Sequence, residues 1–391
     1  MNVPALRRIL LDLVGTARLP ALVGLSEPDW QELNRIAAMH RLQPLLHARH
    51  GANPAVSPAT AASWRAAHRF AAITALAQRA ELARTTALLA AAGFVPIALK
   101  GAWLAHHAYP EPAQRPLRDL DLLVPREQVL GAFEALLSAG YVQQDPAEMP
   151  LEAIVRLDKH MPPLLSPGGT VIELHHRLWE PDGRLEHASP AADEAGIHAR
   201  AITAAGGIRY LAPADLLSHL IVHAVYSHRL DCGPLLLPDI ALLLRTAAVD
   251  WPQFWAAARD HGWRDGARLV LELVAQAYPD APIAFASDQG EPAPAGLLEI
   301  APDLLLQELA TRTSARFAAA TLKDGTSALI ARTLGRRSAK GEAGVTRDMA
   351  SEGGRASWAL SRTWRTLRDL AQPDTRRQSR QLAALSSWLD R

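Results

Sequence analysis

The segment PLRDLDLLVP, Pro116 to Pro125, sets the strongest limit on how this chain can fold. Asp119 and Asp121 stand one residue apart, and Leu120, Leu122, Leu123 and Val124 surround and follow them. A short apolar run between prolines reads as a strand. Residues two apart on a strand share a face, so the two carboxylates would project together, roughly 6–7 Å apart. Leu120 would point the other way, into a core. Carboxylates are costly to bury unless they are paired or bind a metal. The strand must therefore have an apolar face and a polar one. Two oxygen ligands gripping one or two divalent cations meet that demand. So does a strand-end pair neutralised by Arg115 and Arg118.

The flanks give this strand a context. Residues 94–99, FVPIAL, form a short β-rich run, and KGAWLAHHAY after it begins a helix. REQVLGAFEALLSAGY is an amphipathic helix stopping at Gly140, and YVQQ suits a short strand. MPPLLSPGGTVIELHHRLW reads as a hairpin closed by SPGG. Alternating strands and helices define a small α/β unit over 93–211. Residues 1–92 read as helices, with Ser26 or Asp29 as a helix start and Gly93 as a stop. Residues 212–330 are helical again, with Pro213 near a helix start. Residues 331–391 form a Gly-, Ser- and Arg-rich linker and a terminal helix. From Arg332 onward there are 13 basic and 6 acidic residues, so the tail is basic although the whole chain carries only +1.

Composition removes several functions. One cysteine, Cys232, rules out a disulfide framework and argues against a thiolate zinc site. No run of 18 apolar residues and no signal peptide are visible, so a cytoplasmic protein without a membrane partner is expected. The near-zero net charge gives no nucleic-acid signature, although the tail with Trp358 and Trp364 leaves that contact open. There is no Walker A pattern and no G-x-S-x-G elbow.

Further residues point to the same edge of the α/β unit. Glu173 in VIELHHRLW lies on an apolar strand and faces away from Ile172 and Leu174, so strand pairing can bring it beside Asp121. Lys100 and Gly101 end one strand and open a helix; glycine permits close approach of a ligand, and Lys100 adds a point charge for phosphate. Alternation turns His175, and not His176, toward Glu173. His160 approaches the same place if KHMPPLL pairs with that strand. Each histidine reads either as a proton shuttle on the acceptor side or as a packed ring. His219 and His223 have i, i+4 spacing but no H-E-x-x-H glutamate, and they read as pocket wall or core. Asp239 reads as a helix cap. Three carboxylates for a metal beside a phosphate-binding turn are the equipment of metal-assisted phosphoryl or nucleotidyl transfer.

These residues carry a resemblance. LKGAW, Tyr109–Pro110, Arg115-x-x-x-Asp119-x-Asp121 and Glu173–Leu174–His175, with His219, His223 and Asp239 further on, resemble the NTP-transferase-5 group of nucleotidyltransferases. That group belongs to the DNA-polymerase-β-like superfamily. The likeness covers roughly residues 30–280. It implies an α/β (α+β) fold: a small mixed-sheet polymerase-β-like core flanked by helical segments. It also implies transfer of an NMP group from an NTP to an acceptor hydroxyl, with Mg²⁺ or Mn²⁺ on Asp119, Asp121 and Glu173. Glu173 would help deprotonate the acceptor, and Lys100, Gly101, Arg115 and Arg118 would bind the nucleotide. Some members accompany the biosynthesis of lasso peptides and related modified peptides, which points to a peptide or small-molecule acceptor. Ala102 stands where the superfamily usually has serine. Two other readings follow: a catalytically silent nucleotide- or peptide-binding accessory protein, and a regulatory or toxin-like enzyme acting on protein or RNA.

Overall fold

The computed structural model describes residues 1–18, 22–145, 147, 149–179, 194–285, 291–323, 325 and 368–390. The linker part of the basic tail, with Trp358 and Trp364, lies outside the described residues.

Helices α1 (Val3–Val14), α2 (Glu27–Met39), α3 (Gln43–His50) and α4 (Pro58–Ala91) precede the sheet. Ser26 caps α2 in a reciprocal box with Asp29, so both residues expected at this start take part. α4 runs for 34 residues, about 50 Å, and Gly93 at φ +88 ends it.

The sheet has seven strands in the order β3-β4-β5-β2-β1-β7-β6. They are β1 (Ile97–Ala98), β2 (Leu120–Leu123), β3 (Val142–Gln143), β4 (Leu164–Leu165), β5 (Val171–His175), β6 (Ile202–Thr203) and β7 (Arg209–Tyr210). β4 and β5 form the hairpin read from the sequence. β2 is antiparallel to β1 and parallel to β5, so the sheet is mixed. β6 and β7 were not anticipated; their two-residue runs carry too little alternation to be read as strands. Asp119 falls just ahead of β2, not within it.

Between β1 and β2 lie α5 (Gly101–Trp103), which continues as a π turn over Leu104–Ala108, and a 3₁₀ turn at Pro112–Gln114. α6 (Val129–Ser138) crosses back to β3, and α7 (Leu151–Leu157) and α8 (Glu194–Arg200) fill later connections. The helices that follow are α9 (Pro213–Val222), α10 (Leu236–Thr246), α11 (Trp251–Asp260), α12 (Arg264–Ala277) and α13 (Ala295–Leu305). Residues 312–323 are also helical. The terminal helix α14 (Pro373–Leu389) returns to α1, where buried Arg7 donates to Asp374 at 2.8 and 3.0 Å. All four residues of β2 are buried, with Ile97, Leu122, Ile172 and Leu174 in the same apolar core. That centrality makes β2 the place where a carboxylate needs compensation most.

Candidate active site

The β2–β5 register decides the site. Asp121 pairs with Glu173 and Leu123 with His175 across a parallel ladder, so these side chains share a face. His160 forms a single antiparallel bridge pair with His175, fixed by hydrogen bonds from Met161 N to Leu174 O and from His176 N to Lys159 O. The rings of His160 and His175 lie 5.1 Å apart.

Three groups surround the Asp121 carboxylate. His175 Nε2 donates to Oδ1 at 2.8 Å, and Lys100 Nζ lies 3.1 Å from Oδ2. Glu173 Oε2 lies 3.5 Å from the same His175 nitrogen and 4.0 Å from His160 Nε2. Burial opposes ionisation of Asp121, but Lys100 and His175 outweigh it and hold the carboxyl well below its usual range. Burial pushes Asp119 up to about 6, aided by repulsion from Asp121 and Glu173. Among the described residues Asp119 makes no hydrogen bond or ion pair. The carboxylates thus hold more negative charge than Lys100 neutralises.

One oxygen each from Asp121 and Glu173 and a nitrogen of His175 lie within 4.8 Å of one another, a donor set able to surround one cation. Asp119 is outside that set, although it lines the same cavity. The two carboxylates suit a divalent metal, with Asp119 left for an additional contact; His175 Nε2 would join them only after giving up the proton it donates to Asp121.

Lys100 sits at the strand-to-helix turn with φ +43 and ψ −117, a conformation that costs on the order of 1–3 kcal/mol for a non-glycine residue. The turn aims its ammonium at Asp121. Gly101 has another reason: a Cβ there would overlap Leu117 Cδ2, with Arg115 close behind. The glycine lets the helix start pack on the segment that carries the aspartates.

Arg115 is placed differently from Lys100. Its Nε donates to Asp239 Oδ1 at 2.7 Å and its Nη2 to Oδ2 at 2.8 Å, while Nη1 donates to Pro116 O. Tyr109 also donates to Asp239, at 2.7 Å. Asp239 is 2% exposed and lies inside the first turn of α10, whose N-cap is Leu235. It therefore ties the core to the helical part instead of capping a helix.

The cavity is about 430 Å³. Its carboxylate side is joined by a cationic set: Arg41, Arg118 and Arg312 also line it. Its helical side carries Leu220, Leu235 and Leu236 with His223 and His228. His219 is fully buried, its two ring nitrogens without a partner among the described residues, 5.9 Å from the His223 ring. The one three-ligand group among the described residues excludes both histidines. Arg41 and Arg312 were missed from the sequence. Each arrives from a helical segment, and no local motif marks either.

A family model described as uncharacterised nucleotidyltransferase matches residues 26–279. The chain belongs to that family of nucleotidyltransferases. Neither the curated proteins nor the solved structures contain a match.

Proposed function

We propose that this protein moves an NMP group from a nucleoside triphosphate to a hydroxyl of a peptide or small-molecule acceptor, with Mg²⁺ or Mn²⁺ bound at Asp121 and Glu173. The observation that carries this reading is the in-register pairing of Asp121 with Glu173, with Asp119 just ahead, in one cavity with Arg41, Arg118 and Arg312, which make no ion pair among the described residues. When bound, the divalent cation would offset charge on the phosphate oxygens. The acceptor oxygen bonds to the α-phosphorus, the bond to the bridging oxygen of the β-phosphate breaks, and pyrophosphate leaves. The hydroxyl proton passes to the Glu173 side, where His175 and His160 stand beside the carboxylate. Lys100 holds Asp121 ionised, and Arg118 at the exposed rim draws in the phosphates.

A cavity of this size lies within the usual range for small-ligand sites. Its apolar helical wall suits a nucleobase or a compact acceptor better than a nucleic-acid strand. A peptide acceptor fits the lasso-peptide link that the family resemblance of the sequence implies. A second reading, a silent nucleotide-binding accessory, draws on Ala102 at the helix start and on Lys100 already neutralising Asp121.

The test follows label. The protein is incubated with each NTP, labelled at the α- or γ-phosphate, with Mg²⁺ and a peptide and small-molecule extract. Transfer of the α-label with pyrophosphate release, lost in Asp121→Asn, is the expected result. Transfer of the γ-label would make the protein a kinase and overturn the proposal.

A further inference from the structure

We propose that Arg41, Arg118 and Arg312, drawn from three separate segments, form a polyphosphate clamp in the cavity that holds the carboxylates. Assigning the polyphosphate to a nucleotide rests on the nucleotidyl-transfer reading; the clamp itself can be tested without it.

All three arginines line one cavity, and none makes an ion pair or side-chain hydrogen bond among the described residues. The Arg41 Nε is buried and unpartnered among the described residues. Arg7, Arg264, Arg316 and Arg377 also have a buried, unpartnered Nε, but each makes an ion pair, which Arg41 does not among the described residues. A buried donor without an acceptor costs on the order of 1–3 kcal/mol, so its retention points to an acceptor supplied from outside. The neighbours make the case stronger. Burial, then Arg118 and Arg115, press the Arg41 guanidinium down to about 9. Arg115 is committed to Asp239, and Asp119 attracts Arg41 without forming an ion pair with it or with Arg118, so the repulsion between the two guanidinium groups is only partly offset. A bound polyanion removes that repulsion.

The backbone gives a second, independent observation. Arg41 has φ +57, in the left-handed region that glycine usually supplies after a helix. An arginine in that conformation costs roughly 1 kcal/mol. Strain of this kind is kept where the side chain is needed.

The turn is also pinned in place. His40 Nε2 donates to Gln307 O at 3.1 Å, and Arg35 donates to Glu308 at 2.9 Å. These contacts join the α2–α3 turn, which carries Arg41, to the segment leading into the 312–323 helix, which carries Arg312. Two cations far apart in sequence thereby reach one cavity. Arg312 lies beyond the 26–279 family match, so the C-terminal helices supply part of the clamp. Three forked donors suit several linked phosphates better than one.

The experiment is calorimetric titration of inorganic tripolyphosphate, and separately orthophosphate, into the full chain without divalent metal. The variants are Arg41→Gly, Arg312→Gln and, as a surface control on α4, Arg69→Gln; each is also melted. Wild type should bind tripolyphosphate at least about tenfold more tightly than orthophosphate. Arg41→Gly and Arg312→Gln should each weaken it by about tenfold or more, with Arg69→Gln unchanged. Arg41→Gly should melt no lower than wild type, because glycine accepts the strained turn; if it unfolds, Arg312→Gln decides alone. Absent tripolyphosphate binding, equal affinity for the two anions, or wild-type affinity in folded clamp variants would overturn the clamp. Tripolyphosphate binding that stands while no divalent cation binds at Asp121 would keep the clamp and remove the transfer reading.

Discussion

Asp239→Ala should be among the most damaging changes on the cavity wall, through stability and not through nucleotide contact. Asp239 accepts from Tyr109 and, bidentately, from Arg115, and it is 2% exposed. Removing it leaves the Arg115 cation uncompensated, which for buried pairs costs about 3–5 kcal/mol. The orphaned Tyr109 hydroxyl adds on the order of 1–3 kcal/mol, and the two overlap because they share one acceptor. The expected loss is therefore ~4–6 kcal/mol, a large part of a typical stability of ~5–15 kcal/mol. Asp239→Asn keeps one acceptor and should lose about half as much. Tyr109→Phe should lose about 1 kcal/mol. In the Asp239→Ala background, Arg115→Met should recover stability, because it removes the stranded charge. Urea unfolding followed by circular dichroism measures all four. A loss below about 1 kcal/mol for Asp239→Ala would refute the reasoning. So would Arg115→Met weakening Mg²⁺·NTP binding with stability intact, which would make Arg115 a ligand contact.

Other outcomes follow from the same geometry. Burial lowers His40 and His106 to about 4 and His176 to about 3, while the unfolded chain protonates near the ordinary value. The unfolded state alone then gains protons as pH falls from about 6.5 toward 4, so stability is full above that window and declines through it. His40 alone should contribute on the order of 3 kcal/mol of this loss, and a urea midpoint unchanged between pH 7 and 4.5 would contradict it. Gly101→Ala should cost about 1–3 kcal/mol by overlap with Leu117, and Leu117→Ala should restore part of it in thermal melts. Lys100→Met removes the counter-charge of Asp121, so Mg²⁺ should raise its melting temperature more than it raises that of wild type. Equal shifts would show that metal and lysine do not share that carboxylate.

The apolar run around Asp121 and the alternation in VIELH made β2 and β5 legible, because a two-residue period survives in single strands. The same period placed His175, and not His176, beside Glu173. Asp119 was read as part of the strand, yet it precedes β2; element ends are set by partner hydrogen bonds that a single strand does not reveal. Asp239 looked like a cap because it follows Pro238. Its partner Arg115 is 124 positions away, and only the packing of α10 against the β1–β2 connection brings them together. Arg41 was invisible for a related reason: a left-handed arginine after a helix has no sequence signature. Arg312, on the same cavity, comes from a segment joined to the Arg41 turn and α2 by contacts that no sequence pattern marks, His40 to Gln307 and Arg35 to Glu308.

The central claim is that Asp119, Asp121 and Glu173 make a metal-dependent nucleotide site. Calorimetric titration of each of the four Mg²⁺·NTPs into wild type and the Asp119→Asn/Asp121→Asn double variant tests it most directly. The account predicts metal-dependent binding of at least one nucleotide, lost in a double variant that stays folded. Folded wild type that binds none of the four, or a double variant that binds as well as wild type, would contradict it.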